Sequence, residues 1–376
     1  YDELISQLSC AGVRYNVVDK RQKGRKIDVH FNGALYPEQQ VAAEKMLYND
    51  IGVLAAATAF GKTVLGAYLI AQKKVNALVL VHNVEIMNNW IKDLNSFLTI
   101  NEELPTYTTP KGRVKKRSSL IGTFSSQKDA TTGIIDIAMI TSLGREDNIN
   151  ELVRNYGMVI VDECHHAAAV THENVLRAVT ARYIYGMSAT INRGDKQDKK
   201  MFMQLGPIRH RYTAKERAQK QGIGHYIYPR FTRLVDLNQS EDRNPADYYR
   251  LIMQSELRNM QIVSDTIDCV KRGRTPVVMT KYKEHAQKLY DMLQGSADHV
   301  FLLQGGKSLK ERAAIREDMA AVRADESIIL VAIGQYVGEG FNYPRLDTML
   351  LAMPISFEGN VEQHAGRLNR DYEGKK

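Results

Sequence analysis

Cysteine is scarce in this 376-residue chain, and Cys10, Cys164 and Cys269 stand far apart without a C-x-x-C pair. That argues against a disulfide framework and against a zinc module, and it suits a reducing compartment. Long apolar runs are missing too. None approaches the eighteen or more residues of a membrane span, so no membrane partner is expected. No internal repeat at a solenoid period is present, which excludes a solenoid, and there is no low-complexity tract. An initiator methionine is also lacking. The chain opens on Tyr1, so further domains or partners are expected beyond both ends, and the missing signal peptide excludes little. What remains, 44% hydrophobic and 25% charged, is the composition of a globular protein with room for two ordinary domains.

Against those absences stands the segment Ala57-Thr58-Ala59-Phe60-Gly61-Lys62-Thr63, between the apolar run Ile51 to Leu54 and a helical stretch, Val64 to Ile70. Strand, tight loop and helix start together form an anion cradle. Backbone N–H groups and the helix dipole converge on phosphate, Lys62 reaches the terminal phosphates, and the Thr63 hydroxyl can ligate Mg²⁺. The pattern G-x-x-x-x-G-K-[ST] would put glycine at Ala56. A second strand end, this one carrying carboxylates, Met158-Val159-Ile160-Val161-Asp162-Glu163-Cys164-His165-His166, completes the chemistry. The first acid, Asp162, is expected to hold Mg²⁺ through water, and the second, Glu163, to orient and deprotonate the attacking water.

Further blocks follow in a set order. Tyr36-Pro37-Glu38-Gln39 precedes the cradle, and Leu78 to Asn83 leads to Trp90. Then come Ser188-Ala189-Thr190, Gly338-Glu339-Gly340-Phe341-Asn342 and Gln363-His364-Ala365-Gly366-Arg367-Leu368-Asn369-Arg370. With Asp162-Glu163-Cys164-His165 as a DExH box, the chain resembles the superfamily 2 DEAD/DEAH-box helicases over about residues 35 to 370. Within them it resembles the XPB-like and phage repair branch and conflict-system helicase modules. The resemblance implies that Gln39 reads adenine, that Thr58 and Gly61 line the phosphate loop, and that Gly338 and Glu339 lie near ribose and phosphates. It makes Ser188, Ala189, Thr190 and Gln363 coupling residues, and Arg367 and Arg370 arginine fingers beside catalytic Lys62, Asp162 and Glu163. It puts His82, Asn83, Gly305 and Gly306 on the nucleic acid. Many relatives have glycine where Ala59 stands. If Ala56 or Ala59 needs a positive φ, alanine costs roughly 1–2 kcal/mol there. Arg193-Gly194-Asp195 stands where XPB-like enzymes carry Arg-Glu-Asp, which puts a strand-separating role of that loop in doubt.

The formal charge of +8 is concentrated. Between Arg193 and Arg233, eleven Lys or Arg face three acids, a net of +8, interleaved with Tyr212, Tyr226, Tyr228 and Phe231. Such interleaving suits a phosphate backbone with unstacked bases, so Arg193, Lys199, Lys200 and Arg209 are expected on nucleic acid. Two shorter basic clusters, Lys20 to Lys26 and Lys111 to Arg117, read equally as contacts or as solvated turns.

Apolar runs alternating with helical stretches predict an α/β chain of two tandem RecA-like domains, each a parallel sheet flanked by helices. Residues 1–32 are read as a helix plus hairpin, 33–236 as the first domain and 237–376 as the second, joined through polar Asp236 to Asp247. His165 and His166 lack the spacing of a zinc face. Trp90, spaced with Ile86 and Leu94, reads as core. The expected protein is an ATP-dependent helicase or translocase of DNA, or failing that RNA, using ATP and Mg²⁺ in a cytoplasmic, nucleic-acid-associated setting. The alternative is a nucleotide-gated binding module or non-unwinding duplex translocase within a nuclease or defence complex.

Overall fold

The computed structural model describes residues 2–109, 112–145, 148–165, 170–189, 198–221, 224, 226–232, 245–306, 309–334, 341, 343–355, 358–368 and 372. In its first unit, α1 (Asp2–Cys10), β1 (Val29–Phe31), α2 (Pro37–Tyr48) and β2 (Ile51–Ala56) lead to α3 (Lys62–Lys73) and β3 (Ala77–Val81). Next come α4 (Val84–Phe97), β4 (Leu98–Ile100), the pair β5 (Thr106–Thr108) and β6 (Val114–Lys116), β7 (Ile121–Ser125), β8 (Lys128–Asp129) and β9 (Ile135–Met139). The short α5 (Ile140–Leu143), β10 (Gly144–Arg145) and β11 (Asn148–Ile149) precede β12 (Met158–Asp162), α6 (Val170–Ala178) and β13 (Tyr183–Ser188). Helix α7 (Asp198–Leu205), β14 (Ile208–Tyr212) and α8 (Ala214–Gln221) close the unit.

The main sheet runs β14-β2-β13-β12-β3-β9-β7-β8, parallel throughout except for the β7–β8 pair. Its strands are apolar on both faces because both are covered. In β12, Met158 and Ile160 enter one core with Leu65 and Trp90, while Val159 and Val161 enter another with Val175 and Met201. All strand-to-helix loops therefore open at one edge, where a doubly wound sheet places its ligands.

The hairpin expected in residues 1–32 is not made. Strand β1 pairs antiparallel with β4, and Ile27 and Val29 are buried in the first unit's core. That apolar face gains more by joining the core than by pairing locally. The Lys20 to Lys26 cluster is likewise structural in part, since Arg21 meets Asp50 at 3.0 Å and Arg25 meets Glu102 at 2.7 Å.

A second parallel sheet, ordered β16-β17-β15-β18, is built from β15 (Pro276–Thr280), β16 (His299–Leu303), β17 (Ile328–Ile333) and β18 (Thr348–Leu351). Helices α9 (Pro245–Gln254), α10 (Glu256–Lys271), α11 (Lys283–Leu293), α12 (Leu309–Ala321) and α13 (Glu358–Leu368) accompany it. Val277 and Met279 face one core, Val278 the other. Of the expected linker Asp236 to Asp247, residues 236–244 lie outside the described residues, and Pro245 to Asp247 open α9. Among the described residues no helix is long and apolar enough to cross a membrane.

Candidate nucleotide site and nucleic-acid face

Between β2 and α3 the chain turns through two left-handed residues, Ala59 at φ 63° and Gly61 at φ 85°. Ala56 ends the strand, so Ala59 is the position where alanine carries strain, roughly 1–2 kcal/mol. Neighbouring groups hold the loop in that shape. Gln39 Nε2 donates to the Phe60 carbonyl at 2.7 Å while Gln39 Oε1 accepts from Tyr36 N–H at 2.9 Å. Arg217 on α8 donates to the Ala59 carbonyl, and Lys220 pairs with Glu38. A Cβ on Gly61 would lie 2.4 Å from Gln39 Nε2, so this position accepts only glycine without displacing the brace. Gln39, expected to read adenine, thus buttresses the phosphate loop.

At the carboxyl end of β12, Asp162 Oδ2 accepts from Trp90 Nε1 at 2.7 Å, and Oδ1 from the Glu163 N–H at 2.9 Å. Glu163 itself sits at φ 45°, a left-handed conformation rare outside glycine and tolerated where the surroundings enforce it. Its Oε1 lies 3.3 Å from Lys62 Nζ. Its Oε2 lies 3.3 Å from both Ser188 Oγ and His165 Nδ1, which are 2.9 Å from one another. Desolvation, then the adjacent Glu163 charge, raises Asp162 above the usual carboxylate range. Desolvation would raise Glu163 as well, but Lys62 and His165 outweigh it and hold Glu163 ionised to low pH. The two acids are thereby driven apart, as acid–base sites require.

The Thr63 hydroxyl hydrogen-bonds the carboxylate of Asp93, one turn beyond Trp90 on α4. Thr63 and Asp162 carry the hard oxygens that suit Mg²⁺, an ion usually held by one or two carboxylates together with substrate phosphates, and Asp93 holds the Thr63 hydroxyl from α4. The residues present therefore fit Mg²⁺ and a nucleotide.

Trp90 is fully buried, as its spacing predicts. Its role as donor to Asp162 was missed, although a buried indole N–H seldom goes without a partner. Asp93 and Arg217 were missed too. They act across the fold, and no local pattern marks them.

The second unit meets the phosphate loop through α13. A Cβ on Gly366 would fall 1.8 Å from Thr58 Oγ1, so the helix backbone lies directly on the loop. The next residue, Arg367, is 6% exposed and donates from Nη1 to the Phe341 carbonyl at 3.1 Å. Gln363 lies one turn earlier on the same helix. Ala189 follows β13, whereas Thr190, Arg193, Gly338, Glu339 and Arg370 lie outside the described residues.

At the carboxyl end of β3, His82 and Asn83 follow the strand, and Asn83 Oδ1 caps α4 by accepting from Ile86 N–H at 2.8 Å. Gly305 and Gly306 follow β16, Gly306 at φ 94°. Arg316 on α12 bonds Glu85 at 2.9 Å, tying these two regions together. The basic segment, expected as one nucleic-acid surface, is divided. Arg209 Nε donates to the Ile51 carbonyl at 3.0 Å, at the amino end of β2 and thus opposite the ligand edge. Lys200 pairs with Glu173 at 3.3 Å. Their charge answers local acceptors, and only Lys199 of the described members of that expected set stays exposed without such a role.

The family described as "Type III restriction enzyme, res subunit" matches residues 32–193. "Probable helicase D10" of Escherichia phage T5 is 24% identical over 386 residues, covering 98% of this chain and 75% of the phage protein. "DNA 3'-5' translocase XPB2" of Sulfurisphaera tokodaii is 22% identical over 182 residues, 48% of this chain and 36% of that protein. Among solved structures, the Hef helicase domain of Pyrococcus furiosus superposes with a TM-score of 0.51 at 13% identity, covering 89% of this chain and 93% of that one.

Proposed function

Because the chain belongs to the superfamily 2 DExH helicases, close to the XPB-like and phage helicases, we propose that its two units form one ATP-driven motor cleft. The chain is an ATP-hydrolysing helicase or translocase acting on nucleic acid. The observation that carries the cleft reading is the contact of Gly366 with Thr58, which brings the arginine helix onto the phosphate loop beside Lys62 and Glu163.

In this reading Lys62 exchanges its bond with Glu163 for the terminal phosphates as nucleotide enters. That frees Glu163 Oε1 to accept a proton from water. Thr63 and Asp162 would hold Mg²⁺, which supplies charge neutralisation on the phosphates when bound. Trp90 and Asp93 position these two ligands from behind. Ser188 and His165 fix the other oxygen of Glu163, so movement of the β13 end alters the base directly and couples strand binding to hydrolysis. Arg367 completes the site from the second unit, which ties turnover to closure. DNA is the favoured track, and the boundaries 33–236 and 237–376 are the favoured division.

The test is ATP hydrolysis measured with single-stranded DNA, blunt duplex, forked DNA and RNA. Stimulation by at least one DNA form is expected. Equal rates with and without every polynucleotide would overturn the motor reading in favour of a nucleotide-gated module.

A second expectation concerns Trp90→Phe, which keeps an aromatic ring in the core but removes the pyrrole part of the indole with its N–H. A donor to a carboxylate favours its charged form. Losing it therefore raises Asp162 further, and the acid limb of kcat/KM moves to higher pH. The Mg²⁺ concentration for half-maximal activity should rise by about 10- to 100-fold, the scale of a lost partner behind a metal ligand. An unshifted acid limb with unchanged Mg²⁺ dependence would remove Trp90 from the site.

A further inference from the structure

Outside the nucleotide site, a cleft of about 400 Å³ opens where α9 passes the carboxyl end of β15, lined by Ala246, Arg250, Met253, Tyr282, Lys283 and Glu284. Its volume is that of a small-ligand site. Tyr282 caps the start of α11 in an extended conformation, and Tyr249 backs it at 5.8 Å with the rings tilted by 55°. Lys281 Nζ stands 4.5 Å over the Tyr249 ring and 5.9 Å from that of Tyr282.

The cleft is preformed. Buried Asn259 donates from Nδ2 to the Met253 carbonyl at 2.9 Å, anchoring the α9 wall. Its Oδ1 meets His285 Nε2 at 2.9 Å, and His285 Nδ1 meets Thr280 Oγ1 at 2.8 Å. Burial and then the Arg258 charge pull His285 down to about 4, so the network is neutral and stable near pH 7. A neutral imidazole donates through one nitrogen and accepts through the other, which satisfies every member of this chain.

We propose that this cleft receives one unstacked base of a single nucleic-acid strand, with Tyr282 as its stacking surface and Lys283 beside Gly306 carrying the adjoining phosphate. The inference rests on the reading of the chain as a nucleic-acid motor. Three observations favour a base inside and the backbone outside. Inside the lining Tyr282 offers a base its ring face, while Arg250 and Lys283 can donate to the base edge and Glu284 can accept from it. Lys281 and Lys283 are exposed at the rim, where counterions of a backbone are displaced. Lys283 Nζ also lies 3.4 Å from where a Cβ of Gly306 would stand, at the loop that leads into α12. Through Arg316 and Glu85 that helix reaches the Asn83 turn of the first unit, so one strand can follow a continuous rim. Aromatic stacking is sequence-tolerant, as a translocating motor requires.

The test uses the full chain with a single-stranded oligonucleotide carrying 2-aminopurine and with a blunt duplex of the same length. Tyr282→Ala should weaken single-strand binding by about tenfold or more, the scale of one lost base stack. It should abolish the stacking quench of 2-aminopurine, while duplex affinity, basal ATP hydrolysis and the salt slope stay unchanged. Tyr282→Phe should restore quench and affinity, which separates stacking from folding. Lys283→Ala should instead flatten the salt slope. Equal losses on single strand and duplex, or a quench that survives Tyr282→Ala, overturn the base site while leaving the motor intact. Failure of the unaltered chain to bind any polynucleotide overturns both.

Discussion

Glu163→Gln will leave ATP bound and turnover slowed by about 10²- to 10⁴-fold, the usual contribution of a positioned base. The substitution is close to isosteric, and an amide oxygen still accepts from Lys62 where the carboxylate does now, at 3.3 Å. What it removes is basicity. Glu163 is the acid that Lys62 and His165 keep ionised, whereas Asp162 is the one that desolvation and its neighbour push upward. The two residues are adjacent in sequence, yet the left-handed turn at Glu163 sends their side chains to different partners. Lys62→Ala should behave in the opposite way, weakening nucleotide binding first, because the lysine is the cation of the cradle. Nucleotide affinity measured beside single-turnover hydrolysis separates the two. Turnover within a few-fold of the unaltered chain in Glu163→Gln would place the base elsewhere.

What the sequence made legible was whatever is local. The run Met158 to Val161 is apolar at every position, so a strand buried on both faces follows without knowing its neighbours, and the acids after it must sit at the ligand edge. The Gly61-Lys62-Thr63 turn is legible for the same reason. Residues that act across the fold were not. Arg217 braces Ala59 from 158 positions away, and Trp90 reaches Asp162 over 72. Helical spacing correctly assigns the Trp90 ring to the core, but spacing says nothing of where a single N–H points. Charge counting misled in the opposite way. Arg209 adds to a basic run along the chain, while in space it lies over Gly52 and serves the Ile51 carbonyl. The hairpin expected near the amino end failed because Ile27 and Val29 found a larger apolar surface than a two-stranded turn offers.

Arg367→Ala should cut nucleic-acid-stimulated hydrolysis by about 10³-fold or more while ATP affinity stays nearly intact, since in the proposed cleft the first unit alone would hold most of the nucleotide. The buried guanidinium also serves the Phe341 carbonyl, so loss of packing must be told apart from loss of charge. Arg367→Lys does this, because it keeps the cation but not the planar fork. If the fork stabilises charge developing on the transferred phosphoryl group, lysine recovers stability of the second unit but little of the stimulated rate. Gly366→Ala asks the same question without touching the arginine. Its methyl group would meet Thr58 Oγ1 at 1.8 Å, so α13 must lift from the phosphate loop. Misplacement on the scale of 1 Å costs about 10²-fold in rate, and the loss should appear in stimulated turnover rather than in nucleotide affinity. Thr58→Ser removes the methyl but leaves the hydroxyl in the way, whereas Thr58→Ala removes that oxygen, leaves Thr58 Cβ at 2.7 Å, and should return part of the rate to Gly366→Ala. Full stimulated hydrolysis in both Arg367→Ala and Gly366→Ala would mean that hydrolysis is completed within the first unit, and the second would then be a reporter of bound nucleotide and not a part of the catalyst.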